Sequence, residues 1–299
     1  MKPDRSLIYP LFIPMRGCPG TCVYCDQRKI SGSGAFDLQQ AKSEVGAFLR
    51  RNPGTTKEVA FYGGTFTALP LATQNEYLEE IGGLLEQGDS IRVSTHPAYI
   101  SSGILAFLKT RKVQTIELGI QDFCDEVLAQ SGRDYSSGQA VQAAQAVRSA
   151  GFTLGLQLMP GLPGSSAETM RKNLELLLKI SPALLRLYPT IVIKGTKLEQ
   201  MYRDRQFVPL SLRQAVVLCA EFREACAPAG IRIIKYGLPS NIDYHEVVAG
   251  PYHPAFGELV KQELLRRELE KDPSRKDRLQ AHELQLLRAH GSDIFCETD

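Results

Sequence analysis

The stretch that decides the fold runs from Leu11 to Cys25 and reads LFIPMRGCPGTCVYC, an apolar strand that leads directly into three cysteines. Cys18, Cys22 and Cys25 have the spacing C-x3-C-x2-C, in a loop that also contains two glycines and a proline. Such a loop can wrap three thiolates around one centre, and thiolates are ligands of iron–sulfur clusters and of zinc. Three protein ligands leave one coordination position open, so the loop predicts a metal centre that can bind a further molecule.

Outward from this stretch, short apolar runs alternate with segments of helical periodicity, which predicts an α/β fold. The runs predicted as buried strands are Leu11–Met15, Val59–Tyr62, Ile91–Ser94, Thr115–Ile120, Leu154–Met159 and Leu184–Val192. Because a helix lies between successive strands, we expect parallel pairing with right-handed crossovers and covered sheet faces. Periodicity alone leaves open a doubly wound sheet and a closed or partial barrel, and each of these places functional residues at the C-terminal ends of the strands.

Capping patterns mark the start of two predicted helices. Asp37 precedes an apolar face that begins at Leu38, and Ser165 stands three residues before Glu168, which is the spacing of a capping box. Beyond about Gly195 the alternation of strands and helices weakens. This last part is predicted to contain a helix, a strand-like run and a broken helical segment, at Ser211–Ala227, Ile231–Leu238 and Phe256–His290.

The composition is that of an ordinary globular protein, with 43% hydrophobic and 23% charged residues among 299. It excludes wholesale disorder, collagen-like repeats and a coiled-coil rod. The formal net charge of +2 gives no strong positive field of the kind that attracts nucleic acid. No apolar stretch approaches the roughly 20 residues of a membrane span, and the N-terminal residues lack the features of a signal peptide. We therefore expect a cytoplasmic protein without a membrane partner.

The chain contains seven cysteines, an odd number that is unsuited to a disulfide framework in a cytoplasmic protein. Four of them lie outside the clustered motif. Cys219 and Cys226 are seven residues apart on one predicted helix face, so we expect them in the core of that helix. Cys124 follows a predicted strand and is expected to be buried, whereas Cys296 lies in the C-terminal tail.

The second predicted strand ends in FYGGTF, residues 61–66, with a paired glycine at its C-terminal end. Glycine has no Cβ, so the backbone at Gly63 and Gly64 can approach a ligand closely. The loops that follow the first and second strands of one parallel sheet lie side by side. The sequence therefore predicts that Gly63, Gly64 and Thr65 lie next to the three cysteines.

Together, these two loops resemble the radical S-adenosylmethionine (SAM) enzymes. In those enzymes C-x3-C-x2-C follows the first strand, an aromatic residue (here Tyr24) precedes the last cysteine, and a Gly-Gly loop follows the second strand. The resemblance implies a [4Fe-4S] cluster held by Cys18, Cys22 and Cys25, whose fourth iron chelates the amino and carboxylate groups of SAM. It also implies a partial (βα)6 barrel over residues 1–205, with a small α/β extension, residues 206–299, packed on it.

Further segments look like the patterns in oxygen-independent coproporphyrinogen dehydrogenase and in the catalytic subunit of Elongator. They are Gly119–Gln121, Gly132-Arg133 and Leu156–Gly164. By position, the resemblance implies that Gln121 and Arg133 approach the methionine and carboxylate end of SAM, and that the Gly-Gly-Thr loop meets its amino group. A guanidinium suits this role because it pairs well with a carboxylate.

Three places depart from the pattern of the relatives, and at one of them His96-Pro97-Ala98 stands where relatives often carry Arg-Pro-Asp. Ser94 and Gln157 stand where relatives carry acidic residues that contact the ribose hydroxyls of SAM, and both can still hydrogen-bond a hydroxyl. The SAM-binding set that the resemblance implies is Tyr24, Gly63, Gly64, Thr65, Ser94, Gln121, Arg133, Gln157 and Met159.

Leu187–Thr196 and Gly250–Pro254 look most like the Elongator branch, so the resemblance covers most of the chain and favours RNA, specifically tRNA, as the substrate. It makes Tyr188, Lys194 and His253 candidates to face the substrate. The alternatives are core packing for Tyr188 and a solvated turn for Lys194. No acetyltransferase-like domain follows in this sequence, so we do not expect the carboxymethylation of tRNA wobble uridine to carry over.

The predicted function is that of a radical SAM enzyme, in which reductive cleavage of SAM yields a 5′-deoxyadenosyl radical that abstracts hydrogen from a substrate. A reduced flavodoxin or ferredoxin is the expected electron donor. A second hypothesis is a redox enzyme for a small molecule, like the coproporphyrinogen enzyme, but that enzyme usually carries a further cysteine where Gln27 stands. A third is a non-catalytic binding protein stabilised by zinc, with His96, His245 or His253 completing the site.

Overall fold

Nine strands are present in the computed structural model, which describes residues 6–20, 22–32, 34–238 and 242–289. They are β1 (Leu7–Phe12), β2 (Lys57–Tyr62), β3 (Ser90–Thr95), β4 (Val113–Gln121), β5 (Thr153–Leu158), β6 (Leu184–Leu187), β7 (Val192–Ile193), β8 (Arg232–Tyr236) and β9 (Val247–Ala249). Seven of them form one parallel sheet in the order β1-β2-β3-β4-β5-β6-β8, while β7 and β9 form a separate antiparallel pair. The parallel sheet curls into a half-barrel, which confirms the predicted α/β partial barrel.

Helices connect the strands and cover one side of the sheet. The α-helices of the described residues are α1 (Gln27–Ser31), α2 (Leu38–Arg51), α3 (Leu71–Gly82), α4 (Ser102–Lys109), α5 (Asp125–Gln130), α6 (Ser137–Ser149), α7 (Ala167–Ile180), α8 (Lys197–Arg203), α9 (Leu212–Cys226), α10 (Phe256–Lys271) and α11 (Ala281–Ala289). Among these described helices, none is long and apolar enough to span a membrane.

The two sides of the sheet differ in chemistry because successive side chains of a strand point to opposite faces. One set is apolar and packs beneath the helices as a continuous core, with members such as Val59, Phe61, Ile91, Val93, Ile116 and Leu118. Complete burial of a side chain such as Phe61 contributes about 1.5–3 kcal/mol. The alternate residues face the concave side, where polar and charged side chains line a cavity. The hydrophobic core therefore lies on the convex side of the half-barrel, and the concave side is available for binding and catalysis.

The predicted bounds of two strands were wrong. The first strand was expected at Leu11–Met15 but is β1, Leu7–Phe12, because the chain turns at Met15, whose φ of 60° places it in the left-handed region. The run Leu184–Val192 was expected as one strand. It divides into β6 and β7, because Pro189 lies between them and cannot donate a ladder hydrogen bond.

The sheet contains a seventh strand that the six-strand prediction left in the C-terminal extension. This strand, β8, lies within the predicted strand-like run and pairs in parallel with β6, so that Arg186 stands beside Lys235. The domain boundary after residue 205 stays a prediction, but the sheet itself crosses it. The consequence for the cavity is that one of its walls comes from beyond that boundary.

Local signals in the sequence predicted the helix ends with one exception. The Asp37 side chain accepts a hydrogen bond from the backbone N–H of Gln40 at the start of α2, as its position predicted. The capping box of α7 lies one residue later than predicted and consists of Ser166 and Thr169, since the N–H of Ser165 closes a turn to Leu162.

The cysteines outside the motif differ in how deeply they are buried. Cys219 and Cys226 are fully buried in the core of α9, as predicted. Cys124 is only partly buried, and its thiol lies 2.9 Å from a carboxylate oxygen of Glu126. Cys296 lies outside the described residues.

Candidate active site

A cavity of about 320 Å³ lies on the concave face of the half-barrel, where the loops after β1 and β2 meet the ends of β3, β4, β5 and β6. Residues far apart in sequence come together here because the C-terminal ends of parallel strands share one edge of the sheet. Thirteen of the sequence-predicted site residues line it: Cys18, Cys22, Tyr24, Cys25, Gly63, Gly64, Thr65, Ser94, Gln121, Arg133, Gln157, Met159 and Tyr188.

Two of the predicted substrate residues lie outside the wall of this cavity. The side chain of Lys194 is exposed, and its backbone joins β7 to the neighbouring segment through a hydrogen bond with Glu246. The Nδ1 atom of His253 accepts a hydrogen bond from the N–H of Ala255 at the start of α10. Neither residue is placed against the cysteine loop, so their roles toward substrate stay predictions.

The cysteine loop is held by contacts with three neighbouring segments. The Cys18 thiol lies 3.3 Å from the hydroxyl of Thr65, in the loop after β2. The amide nitrogen of Gln27, at the start of α1, lies 3.5 Å from the sulfur of Cys25. The backbone N–H of Val23 donates to the carbonyl of Ser131, after α5. These contacts orient the loop toward the cavity and not toward solvent.

Glycine at two positions allows the cysteine loop and the Gly-Gly-Thr loop to touch. A Cβ on Gly64 would lie 2.5 Å from the carbonyl oxygen of Arg16, and one on Gly17 would lie 2.3 Å from that of Thr65. Both distances are too short for any side chain. Gly64 was expected to admit a ligand, but glycine is first needed there so that one loop can pack on the other. Gly63 faces the cavity.

Arg133 connects the cysteine loop to the end of β4. Its Nη1 atom lies 3.2 Å from the sulfur of Cys22, and its Nη2 donates to the carbonyl of Gly119 at 2.5 Å. Burial on its own lowers the pKa of this guanidinium, but the neighbouring Tyr24, Tyr135 and Cys22 raise its pKa above the ordinary value. A permanent positive charge is thus fixed beside the cysteines, where it can pair with a carboxylate.

Gln121 has an uncommon backbone conformation for its residue type. Its φ is 65°, at the point where the pairing of β4 with β5 shifts register. This conformation is unfavourable for a residue with a side chain and tends to occur at functional sites. It directs the amide of Gln121 to within 3.3 Å of the amide of Gln157, another predicted SAM contact.

Sequence reasoning missed a charged network on the floor of the cavity. Glu117 on β4 accepts hydrogen bonds from Arg92 on β3 and from Arg186 on β6, with its oxygen 2.6 Å from the Nε of Arg186. Burial raises the pKa of Glu117, but Arg186 and Arg92 outweigh it, so the pKa lies below the ordinary value. The guanidinium of Arg186 also donates to the hydroxyls of Tyr62 and Tyr188, at 2.6 and 3.2 Å. A single charged residue within each otherwise apolar run of β3, β4 and β6 was the signal for this network.

The small sheet of β7 and β9 closes one side of the cavity. The Lys29 amine, on α1 directly after the cysteine loop, donates to the carbonyl of Lys194 at 2.7 Å and pairs with Glu246 at 2.6 Å. Ile30 of α1 and Ile193 of β7 both line the cavity. Formation of the cysteine loop and closure of this side are therefore linked through one short helix.

The chemistry of the three cysteines fits an iron–sulfur cluster. Burial raises the pKa of Cys25 to about 12 and also raises the pKa of Cys18, so these thiols need a cation to stay ionised. Within the described residues, no three His, Cys, Asp or Glu side chains surround a point where a single metal ion could bind. In a [4Fe-4S] cluster each thiolate ligates its own iron. Three thiolates from one loop, with one position left open, are a donor set that fits such a cluster.

A second observation is an unsatisfied polar group next to the cysteines. The Tyr24 side chain is buried, yet its hydroxyl has no hydrogen-bond partner among the described residues. Buried polar groups without a partner are rare because they lose their hydration. A polar cofactor in the cavity would supply that partner. His96, by contrast, has both ring nitrogens engaged, with the N–H of Ala98 and with Asp134 at 3.4 Å.

Comparison with known families agrees with this geometry. Residues 12–177, more than half of the chain, match the Radical SAM superfamily, and residues 182–266 match the Radical_SAM C-terminal domain. The chain belongs to the radical SAM superfamily. Members of this superfamily use a [4Fe-4S] cluster and SAM.

Two curated relatives and one solved structure are similar to this radical SAM protein. The tRNA uridine(34) acetyltransferase of Methanocaldococcus infernus is 25% identical over 233 residues, which cover 70% of this chain and 43% of that protein. The heme chaperone HemW of Lactococcus lactis is 25% identical over 194 residues, which cover 64% of this chain and 50% of that protein. The structure of M. infernus Elp3 with an N-terminal deletion has a TM-score of 0.70 at 22% identity, over 88% of this chain and 64% of that chain. The fold is shared, and this chain spans half or less of the length of these two curated relatives.

Proposed function

We propose that this radical SAM protein cleaves SAM reductively and uses the resulting radical to modify tRNA. The observation that carries the proposal is the convergence of the cysteine loop, the Gly-Gly-Thr loop, Gln121 and Arg133 on one cavity. A bound cluster would supply one electron to the sulfonium of SAM, which breaks the C5′–S bond to give methionine and a 5′-deoxyadenosyl radical. We propose Cys18, Cys22 and Cys25 as the cluster ligands.

The remaining roles follow from the contacts of the side chains. Arg133 presents a fixed guanidinium for the carboxylate of SAM, and the Gly-Gly-Thr loop offers backbone groups for its amino group. Ser94 and Gln157 are proposed to hold the ribose hydroxyls. Buried apolar and aromatic groups such as Met159 and Tyr24 keep water away from the reacting atoms.

The tRNA substrate is supported by the names of the relatives, since the M. infernus protein is a tRNA uridine(34) acetyltransferase. Enzymes that modify a base take it out of its stack, so one extruded nucleoside would have to reach this cavity beside SAM. A reduced flavodoxin or ferredoxin in the cytoplasm is proposed as the electron donor. The relation to HemW supports a small-molecule substrate as the second candidate.

The substrate test uses the reconstituted, reduced protein with SAM and bulk tRNA under anaerobic conditions. We expect tRNA to raise the rate of 5′-deoxyadenosine formation and one nucleoside of the digested tRNA to change in mass. The matched control is the same tRNA with the Cys22→Ser variant, which should leave every nucleoside unchanged. If tRNA has no effect while a porphyrin raises the rate, the small-molecule alternative is correct.

A further inference from the structure

The inner wall of the half-barrel carries a row of charged side chains on five strands, with none on β5 between β4 and β6. Glu58 lies on β2, Arg92 on β3 and Glu117 on β4, followed by Arg186 on β6 and Lys235 on β8. The signs alternate along the row until its end, where two cations stand side by side in register. The last position of this row therefore departs from the pattern of the others.

The first four members of the row neutralise one another. The Nε of Arg92 donates to Glu58 at 2.9 Å, and Arg92 also pairs with Glu117. Both oxygens of Glu117 accept from Arg186, at 2.6 and 3.1 Å. Two carboxylates thus pair with two guanidiniums, and no acidic side chain of this row remains for a further cation.

Lys235 is the member of this row that has no oppositely charged partner among the described residues. Its side chain is half-buried and lines the cavity, and the described part of the chain gives it no hydrogen bond and no ion pair. Burial and the neighbouring Arg186 lower its pKa, as expected where a cation lacks an anion. Among the described residues that line the cavity, Glu117 is the one carboxylate, against the cations Arg133, Arg186 and Lys235.

Apolar side chains surround the rest of this space. The cavity wall between its charged groups includes Phe12, Ile30, Ile191, Ile193 and Leu238. Apolar walls exclude water and strengthen the attraction between a lysine and an anion. A molecule with an apolar body and one negatively charged group would match both properties of the cavity.

We propose that Lys235 binds an anionic oxygen group of the substrate, a carboxylate or a phosphate, at the side of the cavity opposite the first strand. The proposal rests on the proposed function, in which the substrate enters this cavity. It differs from the predicted carboxylate contact of SAM, because Arg133 contacts Gly119 of β4, three places from β8 in the order of the sheet. Lys235 would thereby help to select an anionic substrate and orient it toward the cysteine loop.

The test measures binding of three probes with the same aromatic body, benzoate, phenyl phosphate and neutral benzamide, by calorimetry. It uses the full chain with its cluster reconstituted. We expect at least one anion to bind about tenfold more tightly than benzamide. In Lys235→Met this preference should be lost, and in Lys235→Arg it should be largely kept. Lys112→Met is the matched control, because Lys112 lies at the other end of the sheet, where its amine donates to Leu85.

The two anions distinguish the source of the charge, since preference for benzoate indicates a carboxylate and preference for phenyl phosphate a phosphate. Equal binding of all three probes, or an unchanged preference in Lys235→Met, overturns the proposal. If that variant does not fold, Lys235→Gln provides the same comparison. Formation of 5′-deoxyadenosine without substrate is measured in the same preparations. If the protein cleaves SAM but shows no preference for the anions, only the role of Lys235 is refuted. If it prefers the anions but does not cleave SAM, only the proposed function is refuted.

Discussion

Tyr24 carries a buried hydroxyl that has no hydrogen-bond partner among the described residues. If SAM supplies that partner, Tyr24→Phe should weaken SAM binding to the cluster-loaded protein by about tenfold. The same change should leave the stability of the ligand-free protein unchanged or raise it by about 1 kcal/mol, since it removes an unsatisfied group. Equilibrium binding and denaturant unfolding measure the two effects. Tyr202→Phe, at a more exposed position, is the control, and equal SAM affinity in all three proteins would contradict the assignment.

His96 predicts a specific dependence of stability on pH. Burial, followed by the charge of Arg133, lowers its pKa to about 3, compared with about 6.5 in an unfolded chain. Between these values the unfolded chain binds a proton that the folded protein does not bind. The contribution of His96 is thus complete above pH 6.5 and is lost as the pH falls toward 3, by up to about 1.4 kcal/mol per pH unit.

Replacement of His96 by Asn removes this titration and keeps an acceptor for the N–H of Ala98. Between pH 6.5 and 5, the free energy of unfolding of the unaltered protein should fall by about 1.7 kcal/mol more than that of His96→Asn. His245→Asn, at an exposed position, is the control and should follow the unaltered protein. Parallel pH curves for His96→Asn and the unaltered protein would show that His96 is not held neutral by burial.

Single residues also show where sequence reasoning reached its limit. Cys18, Cys22 and Cys25 are close in sequence, so their grouping could be predicted from spacing. Glu117 and Arg186 are 69 residues apart, and nothing local in either segment indicates that they meet. Their pairing depends on which strands become neighbours in the sheet, and this is a property of the tertiary structure.

At the scale of elements, the contact between the cysteine loop and the Gly-Gly-Thr loop gives a direct prediction. Gly64→Ala places a Cβ 2.5 Å from the carbonyl of Arg16 and 2.7 Å from that of Ile13, so the two loops must separate. We expect a loss of stability of about 2–4 kcal/mol and a reduced content of bound iron after reconstitution. Denaturant unfolding and iron analysis measure these effects.

The control for this prediction is Gly103→Ala in α4, where an added Cβ meets open space. It should raise stability slightly, because alanine favours a helix more than glycine does. Iron content and stability of Gly64→Ala equal to those of the unaltered protein would show that the two loops do not depend on each other.

The start of α2 was predicted from a local signal, whereas the division of one apolar run into two strands was not predicted. The start of α2 follows from Asp37, whose side chain caps the helix regardless of what packs on it. The split of Leu184–Val192 into β6 and β7 depends on a partner, β9, that lies more than fifty residues away. Pro189 within the run was the available signal against one continuous strand.

For the whole molecule, the half-barrel explains why the site is assembled from so many segments. Outward-facing side chains form the core, and inward-facing ones are free to bind, so stability and chemistry occupy opposite sides of the same strands. The fold class and the first two loops could be predicted from the sequence. The strand β8 was predicted as a strand-like run, but its place beside β6 could not be predicted, because it follows from the curl of the sheet.

The central claim is that three cysteines of one loop hold a cluster at which SAM is cleaved. The most direct measurement reconstitutes the protein anaerobically with iron and sulfide, reduces it, and quantifies 5′-deoxyadenosine and methionine formed from SAM. The account predicts that the unaltered protein forms the two products in equal amounts. Cys124→Ser, which removes a thiol outside the predicted ligand set, should do the same. Neither product should exceed background in Cys18→Ser, Cys22→Ser or Cys25→Ser. An unaltered protein that assembles no cluster, or that assembles one and leaves SAM intact, would contradict it.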